Sequence, residues 1–206
     1  MVKTITQYFS ITPEQEQQFD ALGKLYPEWN EKINVISRKD IDNLYVNHIL
    51  HSLAIAHFLN PASGTTFLDM GTGGGFPGIP LAIMWPQCRF HLIDRIGKKI
   101  RVAQSIAEEI GLKNVTFQHG DIGECRNKFD FVVSRAVMRL DEMLPLVRKN
   151  ITPGGKNGYP NGIIVLKGGD LQSELHKIKL PYLEEKIETY FHEPFFATKK
   201  LVYVQL

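Results

Sequence analysis

The chain has 206 residues, of which 43% are hydrophobic, and its formal net charge is +2. This length and composition can bury one substantial core, and so small a charge does not by itself indicate nucleic-acid binding. The two cysteines, Cys88 and Cys125, lie far apart without metal-ligand spacing, so we expect reduced thiols, no metal site and a cytoplasmic location. No apolar run approaches the roughly 20 residues of a membrane span, and we expect no membrane association.

The N-terminal part of the chain has the pattern of two helices, at about 13–26 and about 40–59. In the second helix, His48 lies among apolar residues that recur at helical spacing, which is more typical of a structural histidine than of a catalytic one. We expect residues 1–62 to form a helical extension that packs on a core domain of residues 63–206.

Strands and helices alternate after this extension, which predicts a parallel sheet with helices on both faces. Two successive strands are predicted in the tail, and they would close the sheet as an antiparallel pair. A parallel five-stranded core closed in this way is the α/β sheet of class I methyltransferases and differs from the six-stranded dinucleotide-binding sheet. The strands are predicted at about 65–70, 89–94, 114–119, 129–134, 162–167, 186–191 and 201–206, and the helices at about 77–86, 97–111, 140–150 and 170–178.

A glycine-rich turn follows the first predicted strand of the sheet. Glycine has no side chain and takes positive φ readily, so backbone N–H groups in such a turn can approach a nucleotide-like ligand. The spacing Asp69-x-Gly71-x-Gly73-x-Gly75, with an acid before the turn, is usual in S-adenosylmethionine-dependent methyltransferases. Phe76 is a large apolar residue beside these glycines, and we expect it to flank the cofactor.

A dinucleotide site is the alternative interpretation of this turn. Gly73-x-Gly75-x-x-Gly78 matches the NAD-binding pattern, whose last glycine must lie inside a helix packed on the strand. Pro77 and Pro80 bracket Gly78 and suit a helix start better than a packed helix interior. The turn therefore favours S-adenosylmethionine and leaves a dinucleotide open.

The ends of the next two strands complete the expected cofactor side of the site. In open parallel sheets, ligands bind outside the carboxyl ends of the strands. Asp94 ends the second strand, where an acid can bind ribose hydroxyls. The third strand is followed by residues that can meet the adenine edge, namely Asp121, Ile122 and Gly123.

The fourth and fifth strands place Arg135 and Lys167 on the acceptor side, and we predict that both position the acceptor. The fourth strand lacks the Asn/Asp-Pro-Pro-aromatic motif used to methylate adenine amines, and no cysteine nucleophile or histidine–acid pair follows it. The site therefore suits an acceptor that is already nucleophilic, such as N7 of guanine. Catalysis would then consist of alignment without a general base.

Three motifs together resemble the RsmG (GidB) family of bacterial methyltransferases, and the resemblance covers nearly the whole chain, from about Phe19 to the end. The resemblance implies S-adenosylmethionine as cofactor and methylation of guanine N7 at position 527 of 16S ribosomal RNA. It also implies cofactor contacts at Gly71, Phe76, Ile122, Gly123 and Arg135, with Asp94 at the ribose. The motifs are Asp69–Leu81, Leu92–Lys99 and Ser134-Arg135-Ala136-Val137.

Two positions depart from the family pattern. His51 stands where the family commonly has Asp, and Gly123 stands where many members have Glu. The change at Gly123 removes a side-chain acceptor for the adenine amino group, and Asp121 or Glu124 would have to replace it.

Two other classes of function remain compatible with the residues alone: a methyltransferase for a small molecule or protein, and a non-catalytic nucleotide- or RNA-binding module. A basic cluster at Lys98, Lys99 and Arg101 is either a solvated helix face or a phosphate-binding rim. Because the net charge is only +2, we expect an assembled or partly assembled small ribosomal subunit as the partner, in preference to naked RNA. Nothing in the sequence demands more than a monomer.

Overall fold

The computed structural model describes residues 2–135 and 137–206, so Ala136 of the Ser-Arg-Ala motif lies outside the described residues. The N-terminal part is helical, as predicted. Its elements are α1 (Lys3–Thr6), α2 (Pro13–Lys32), a 3-10 turn (Ile41–Asn43), a π-helical segment (Leu44–Leu50) and α3 (His51–Phe58), which continues that segment.

Helix α2 begins with a reciprocal cap. The Thr12 hydroxyl accepts a hydrogen bond from the Gln15 N–H, and the Gln15 side chain accepts one from the Thr12 N–H. The helix passes its predicted end and continues to Lys32, although Pro27 lies inside it and cannot donate a bond to the preceding turn. Its apolar face, which includes the fully buried Tyr26, packs into the core, and this tertiary packing outweighs the local preference of proline.

Seven strands form one sheet in the order β3-β2-β1-β4-β5-β7-β6. The first five are mutually parallel, whereas β7 runs antiparallel to both β5 and β6. This arrangement confirms the mostly parallel sheet with an antiparallel end. The strands are β1 (Thr66–Met70), β2 (Arg89–Asp94), β3 (Val115–His119), β4 (Phe131–Arg135), β5 (Gly162–Gly168), β6 (Tyr182–Lys186) and β7 (Lys199–Gln205).

Helices cover both faces of this sheet. Along β1, Phe67 enters the core on one face and Leu68 enters the core on the other, as the two-residue period of a strand requires. The N-terminal helices, α4 (Gly78–Met84) and α5 (Gly97–Glu109) pack on the first face. The second face is covered by α6 (Leu140–Val147) and α7 (Gln172–Leu175).

The first predicted tail strand, residues 186–191, was misplaced. The strand is Tyr182–Lys186, and Ile187–Thr189 is a 3-10 turn. Ile187 and Phe191 are both fully buried, and their spacing of four residues suits one side of a helical turn. Burial of these two side chains in the core, with Phe191 against Tyr8 and Phe9, therefore overrides the strand-like composition.

Within the described residues, no helix is both long and apolar enough to cross a membrane. The same residues hold no group of three or more His, Cys, Asp or Glu side chains that could bind a metal ion.

Candidate active site

Asp69, at the end of β1, binds two groups of the glycine-rich turn. One of its carboxylate oxygens accepts hydrogen bonds from the Thr72 hydroxyl, at 2.6 Å, and from the Gly78 N–H, at 2.8 Å. The residue is fully buried, and burial raises its pKa to about 7 although both hydrogen bonds act in the opposite direction. Asp69 thus connects Thr72 in the turn with Gly78, the first residue of α4. It does not line the cavity described below.

The turn takes backbone conformations that favour glycine. Gly71, Gly73 and Gly75 have φ values of +69°, +58° and +108°. The Gly71 N–H donates to the Ile93 carbonyl at 2.9 Å, and the Gly73 N–H donates to the Asp94 carboxylate at 2.8 Å. These two bonds hold the turn against the end of β2.

A cavity of about 320 Å³ lies at the carboxyl ends of β1, β2 and β3. This is the edge at which open parallel sheets bind their ligands. Three predicted cofactor residues, Gly71, Asp94 and Ile122, line the cavity together. The other lining residues are Met70, Ile93, Arg95, Ile96, Gly120, Val137 and Met138.

Asp94 has acceptor capacity left for a ligand. Its two carboxylate oxygens accept from the N–H groups of Gly73 and Ile96, each at 2.8 Å. A carboxylate has about four lone-pair sites, so these bonds leave room for ribose hydroxyls. The half-buried side chain faces the cavity, and these observations fit an adenosine-type ligand.

Asp121 and Gly123 form a local turn at the edge of the cavity and are not among its lining residues. The Gly123 N–H donates to the Asp121 carboxylate at 2.6 Å, and Glu124 accepts from the Asp121 N–H at 2.9 Å. The Gly123 bond, together with an ion pair to Arg95, holds the pKa of Asp121 below its usual range. Both acids that were expected to replace a missing adenine acceptor are therefore engaged within this turn.

Arg135, at the end of β4, is bound to the N-terminal helices. Its guanidinium donates to the Asn47 carbonyl at 2.9 Å and to His48 Nδ1 at 2.8 Å, and lies 5.1 Å from the centre of the Phe76 ring. Burial lowers its pKa to about 10, so Arg135 remains charged at neutral pH. The residue does not line the cavity.

His48 is a neutral partner of Arg135. Burial, followed by the nearby guanidinium, lowers the pKa of His48 to about 3. Because a guanidinium can only donate, His48 Nδ1 must be the acceptor and the ring proton lies on Nε2. The structural role predicted for His48 agrees with this geometry.

Phe76 is buried under the N-terminal helices and does not line the cavity. Its ring lies 4.6 Å from that of Tyr26 and 5.3 Å from that of His48. The Tyr26 hydroxyl donates to the Gly74 carbonyl at 2.8 Å, so the extension also holds the turn directly. No motif pointed to Tyr26, because its partner is a backbone atom 48 residues away in the chain.

Lys167, at the end of β5, forms a buried ion pair. Its ammonium lies 2.9 Å from a carboxylate oxygen of Glu174 and donates to the Met138 carbonyl at 2.5 Å. The Lys167 side chain is 11% exposed, and it is not part of the cavity lining. Glu174 had no sequence signal, because a single acid in a polar stretch gives no indication that it is buried.

The basic cluster lies on α5, the helix that follows β2. Lys98 and Arg101 are exposed, and Lys99 is half-buried near Gly73. Within the described part of the chain, these three side chains form no ion pair with an acid. Their charge is therefore available to solvent or to an anionic partner.

Solved structures share the fold of this protein. A SAM-dependent methyltransferase from Aquifex aeolicus aligns with a TM-score of 0.57 at 15% identity, covering 82% of this chain and 98% of that chain. TrmN from Thermus thermophilus aligns with a TM-score of 0.54 at 16% identity, covering 75% and 48% of the two chains. At these identities the likeness shows the fold, which is that of class I SAM-dependent methyltransferases and confirms the predicted fold class.

Sequence comparison defines the family within this class. The model of the GidB family, described as rRNA small subunit methyltransferase G, matches residues 15–202. The ribosomal RNA small subunit methyltransferase G of Bacteroides fragilis (strain YCH46) is 54% identical over 206 residues, covering 100% of this chain and 92% of the relative. That of Porphyromonas gingivalis is 52% identical over 204 residues, covering 98% and 92%. The chain belongs to this family, and the resemblance found in the sequence is confirmed.

Proposed function

We infer that this protein is an RNA methyltransferase that transfers the methyl group of S-adenosylmethionine to the ribosomal RNA of the small subunit. The observation that carries this conclusion is the cavity at the carboxyl ends of β1 to β3, where Gly71, Asp94 and Ile122 meet in a chain of this family. When bound, S-adenosylmethionine supplies an electrophilic methyl group. Gly71 and the adjoining backbone would lie beside it, and Asp94 would accept from its ribose hydroxyls.

The acceptor that the family implies is N7 of guanine, at position 527 of 16S ribosomal RNA. The side chains near the cavity support an acceptor that needs no general base. Asp69 is fully buried and bound within the turn, and His48 is neutral with its basic nitrogen occupied by Arg135. N7 carries an in-plane lone pair, so correct alignment suffices for its attack.

Arg135 and Lys167 act in this proposal by positioning. Methyl transfer to N7 places positive charge on the base, so a nearby guanidinium would not stabilise the developing charge. Arg135 is fixed to the N-terminal helices and Lys167 to the segment after β4. Both side chains therefore fit the role of holding the walls of the site.

The proposed partner is an assembled or partly assembled small ribosomal subunit. The net charge of +2 supports this choice, because phosphate contacts from so few excess cations bind naked RNA weakly. A ribosomal substrate also supports a cytoplasmic location. We treat the protein as a monomer, in which the extension of residues 1–62 packs on the catalytic domain of residues 63–206.

Complementation tests this function in cells. The protein would be expressed in a bacterial strain that lacks its own methyltransferase of this family, and its 16S RNA would be digested and analysed by mass spectrometry. The expected result is 7-methylguanosine in the fragment that contains position 527, lost again in an Asp94→Ala variant. An unmethylated fragment with the wild-type protein present and folded would contradict the proposal.

A further inference from the structure

The segment of residues 137–140, which follows β4, forms one wall of the cofactor cavity. Val137 and Met138 both line the cavity. The methyl groups of Val137 lie over Gly71, so close that a Cβ atom at Gly71 would overlap them. A shift of this segment would therefore change the shape of the cavity beside the glycine-rich turn.

A buried ion pair holds the segment at two points. Lys167 donates to the Met138 carbonyl at 2.5 Å, and the Leu140 N–H donates to Glu174 Oε2 at 2.5 Å. The same Glu174 oxygen lies 2.9 Å from the Lys167 ammonium. The pair thus connects three elements: β5, α7 and the start of α6.

The Lys167–Glu174 ion pair is shielded from solvent. The Lys167 and Glu174 side chains are 11% and 9% exposed, so each charge depends on its partner and on the two backbone groups. Arg139, between the two anchored residues, points outward and binds Asp141 and Ser173. The segment is therefore held on its inner side by one pair of charges.

We propose that Lys167 and Glu174 are positioning residues, which hold residues 137–140 against the cavity and thereby set the affinity for the cofactor. The inference rests on the proposed function, because it takes this cavity as the S-adenosylmethionine site. It specifies how Lys167 holds the wall of the site, namely through Met138 directly and through Leu140 by way of Glu174. Glu174 enters as a functional residue for the same reason.

Calorimetric titration of the full-length protein with S-adenosylmethionine tests the proposal. The main variant is the double substitution Lys167→Met/Glu174→Leu, which leaves no unpaired buried charge and so protects the fold. We expect its dissociation constant to rise about tenfold or more, because the bond donated by Lys167 and the bond accepted by Glu174 no longer fix the wall. For the single variant Lys167→Met, we expect a similar rise of the dissociation constant, measured on the molecules that remain folded.

The matched control removes a neighbouring ion pair on the same sheet. Lys200 lies directly across from Lys167 in the β5–β7 ladder and pairs with Glu184. The double substitution Lys200→Met/Glu184→Leu should leave the dissociation constant at the wild-type value.

The titration separates positioning from a merely structural role. A structural role would lower the melting temperature and the number of binding-competent molecules, whereas positioning changes the dissociation constant itself. A wild-type constant in the Lys167→Met/Glu174→Leu variant would overturn the inference, and so would an equal loss in the control. If the wild-type protein did not bind S-adenosylmethionine, the proposed function would fail, and this inference with it.

Discussion

Asp69 is a buried carboxyl whose ionisation is linked to the stability of the fold. Burial raises its pKa from the ordinary value of 3.8 to about 7. Between these two pH values the folded state binds a proton that the unfolded state has released. The contribution of Asp69 to the free energy of unfolding therefore falls as the pH rises from about 4 to about 7.

The substitution Asp69→Asn should remove this pH dependence, because an amide does not ionise and its oxygen can still accept from Thr72 and Gly78. We expect the wild-type protein to lose stability relative to the variant as the pH rises across this window. The change should be at most about 1.4 kcal/mol per pH unit. Urea unfolding at several pH values measures it. The exposed substitution Glu109→Gln is the control, and parallel profiles for wild type and Asp69→Asn would contradict the assignment.

Arg135 joins the end of β4 to the N-terminal helices through its planar guanidinium. The substitution Arg135→Lys keeps the charge. A single ammonium, however, cannot donate to both the Asn47 carbonyl and His48 while lying over the Phe76 ring, as the planar guanidinium does. We expect kcat/KM for methyl transfer to fall about tenfold or more. Lys24→Ala, at an exposed position on α2, should be close to wild type. Equal losses in the two variants would show that the acceptor face has been misplaced.

Sequence alone predicted the cavity residues best where a motif implied backbone geometry. The glycine spacing predicted Gly71, and the acid at the end of β2 predicted Asp94. Both positions depend on strand ends, which the apolar pattern locates. The hydrogen bonds of Tyr26 and Glu174 were not predicted, since each side chain binds a backbone group far away in the chain. Arg135 and Lys167 were predicted to position the acceptor, and the structure adds the protein groups that each side chain binds.

At the scale of elements, the N-terminal helices support the glycine-rich turn. Tyr26 on α2 donates to the Gly74 carbonyl, and Val35 packs against Gly74. Asn30 holds the connection after α2 by binding the N–H groups of Val35 and Ile36. The extension is thereby coupled to the turn that borders the cofactor cavity.

The substitution Tyr26→Phe tests this coupling. It keeps the ring against Phe76 but removes the donor to the Gly74 carbonyl, at a cost of about 1–3 kcal/mol for a buried group left unpaired. We expect a lower free energy of unfolding and weaker binding of S-adenosylmethionine. Tyr8→Phe is the matched control, since the Tyr8 hydroxyl binds Glu193, away from the turn. Weakening by both variants to the same degree would argue against a specific link through α2.

The predicted elements agree with the structure wherever the period of the sequence was clear. All five parallel strands were predicted from short apolar runs. The carboxyl ends of three of them, β1 to β3, border the cavity. The strand predicted at 186–191 failed because Ile187 and Phe191 are buried by tertiary packing that a local pattern does not contain. Tertiary packing also explains why helix α2 continues beyond Pro27.

At the scale of the whole molecule, a nearly neutral protein must recognise a highly charged substrate. The cations on α5 form no ion pairs within the described residues, so they can contact RNA phosphates. Phosphate contacts release counterions, and methyl transfer to small subunits should fall steeply with salt concentration. Binding of S-adenosylmethionine in the same buffers is the control and should change little. A flat salt response of methyl transfer would contradict recognition through phosphates.

In the proposed function, the cavity beside the glycine-rich turn binds the cofactor for methyl transfer to small-subunit ribosomal RNA. The most direct test supplies labelled S-adenosylmethionine and purified small subunits that lack the modification, and then identifies the labelled base. We expect label in 16S RNA, recovered as 7-methylguanine. Binding of S-adenosylmethionine without transfer of label to the RNA would contradict it and would point to a small-molecule or protein acceptor.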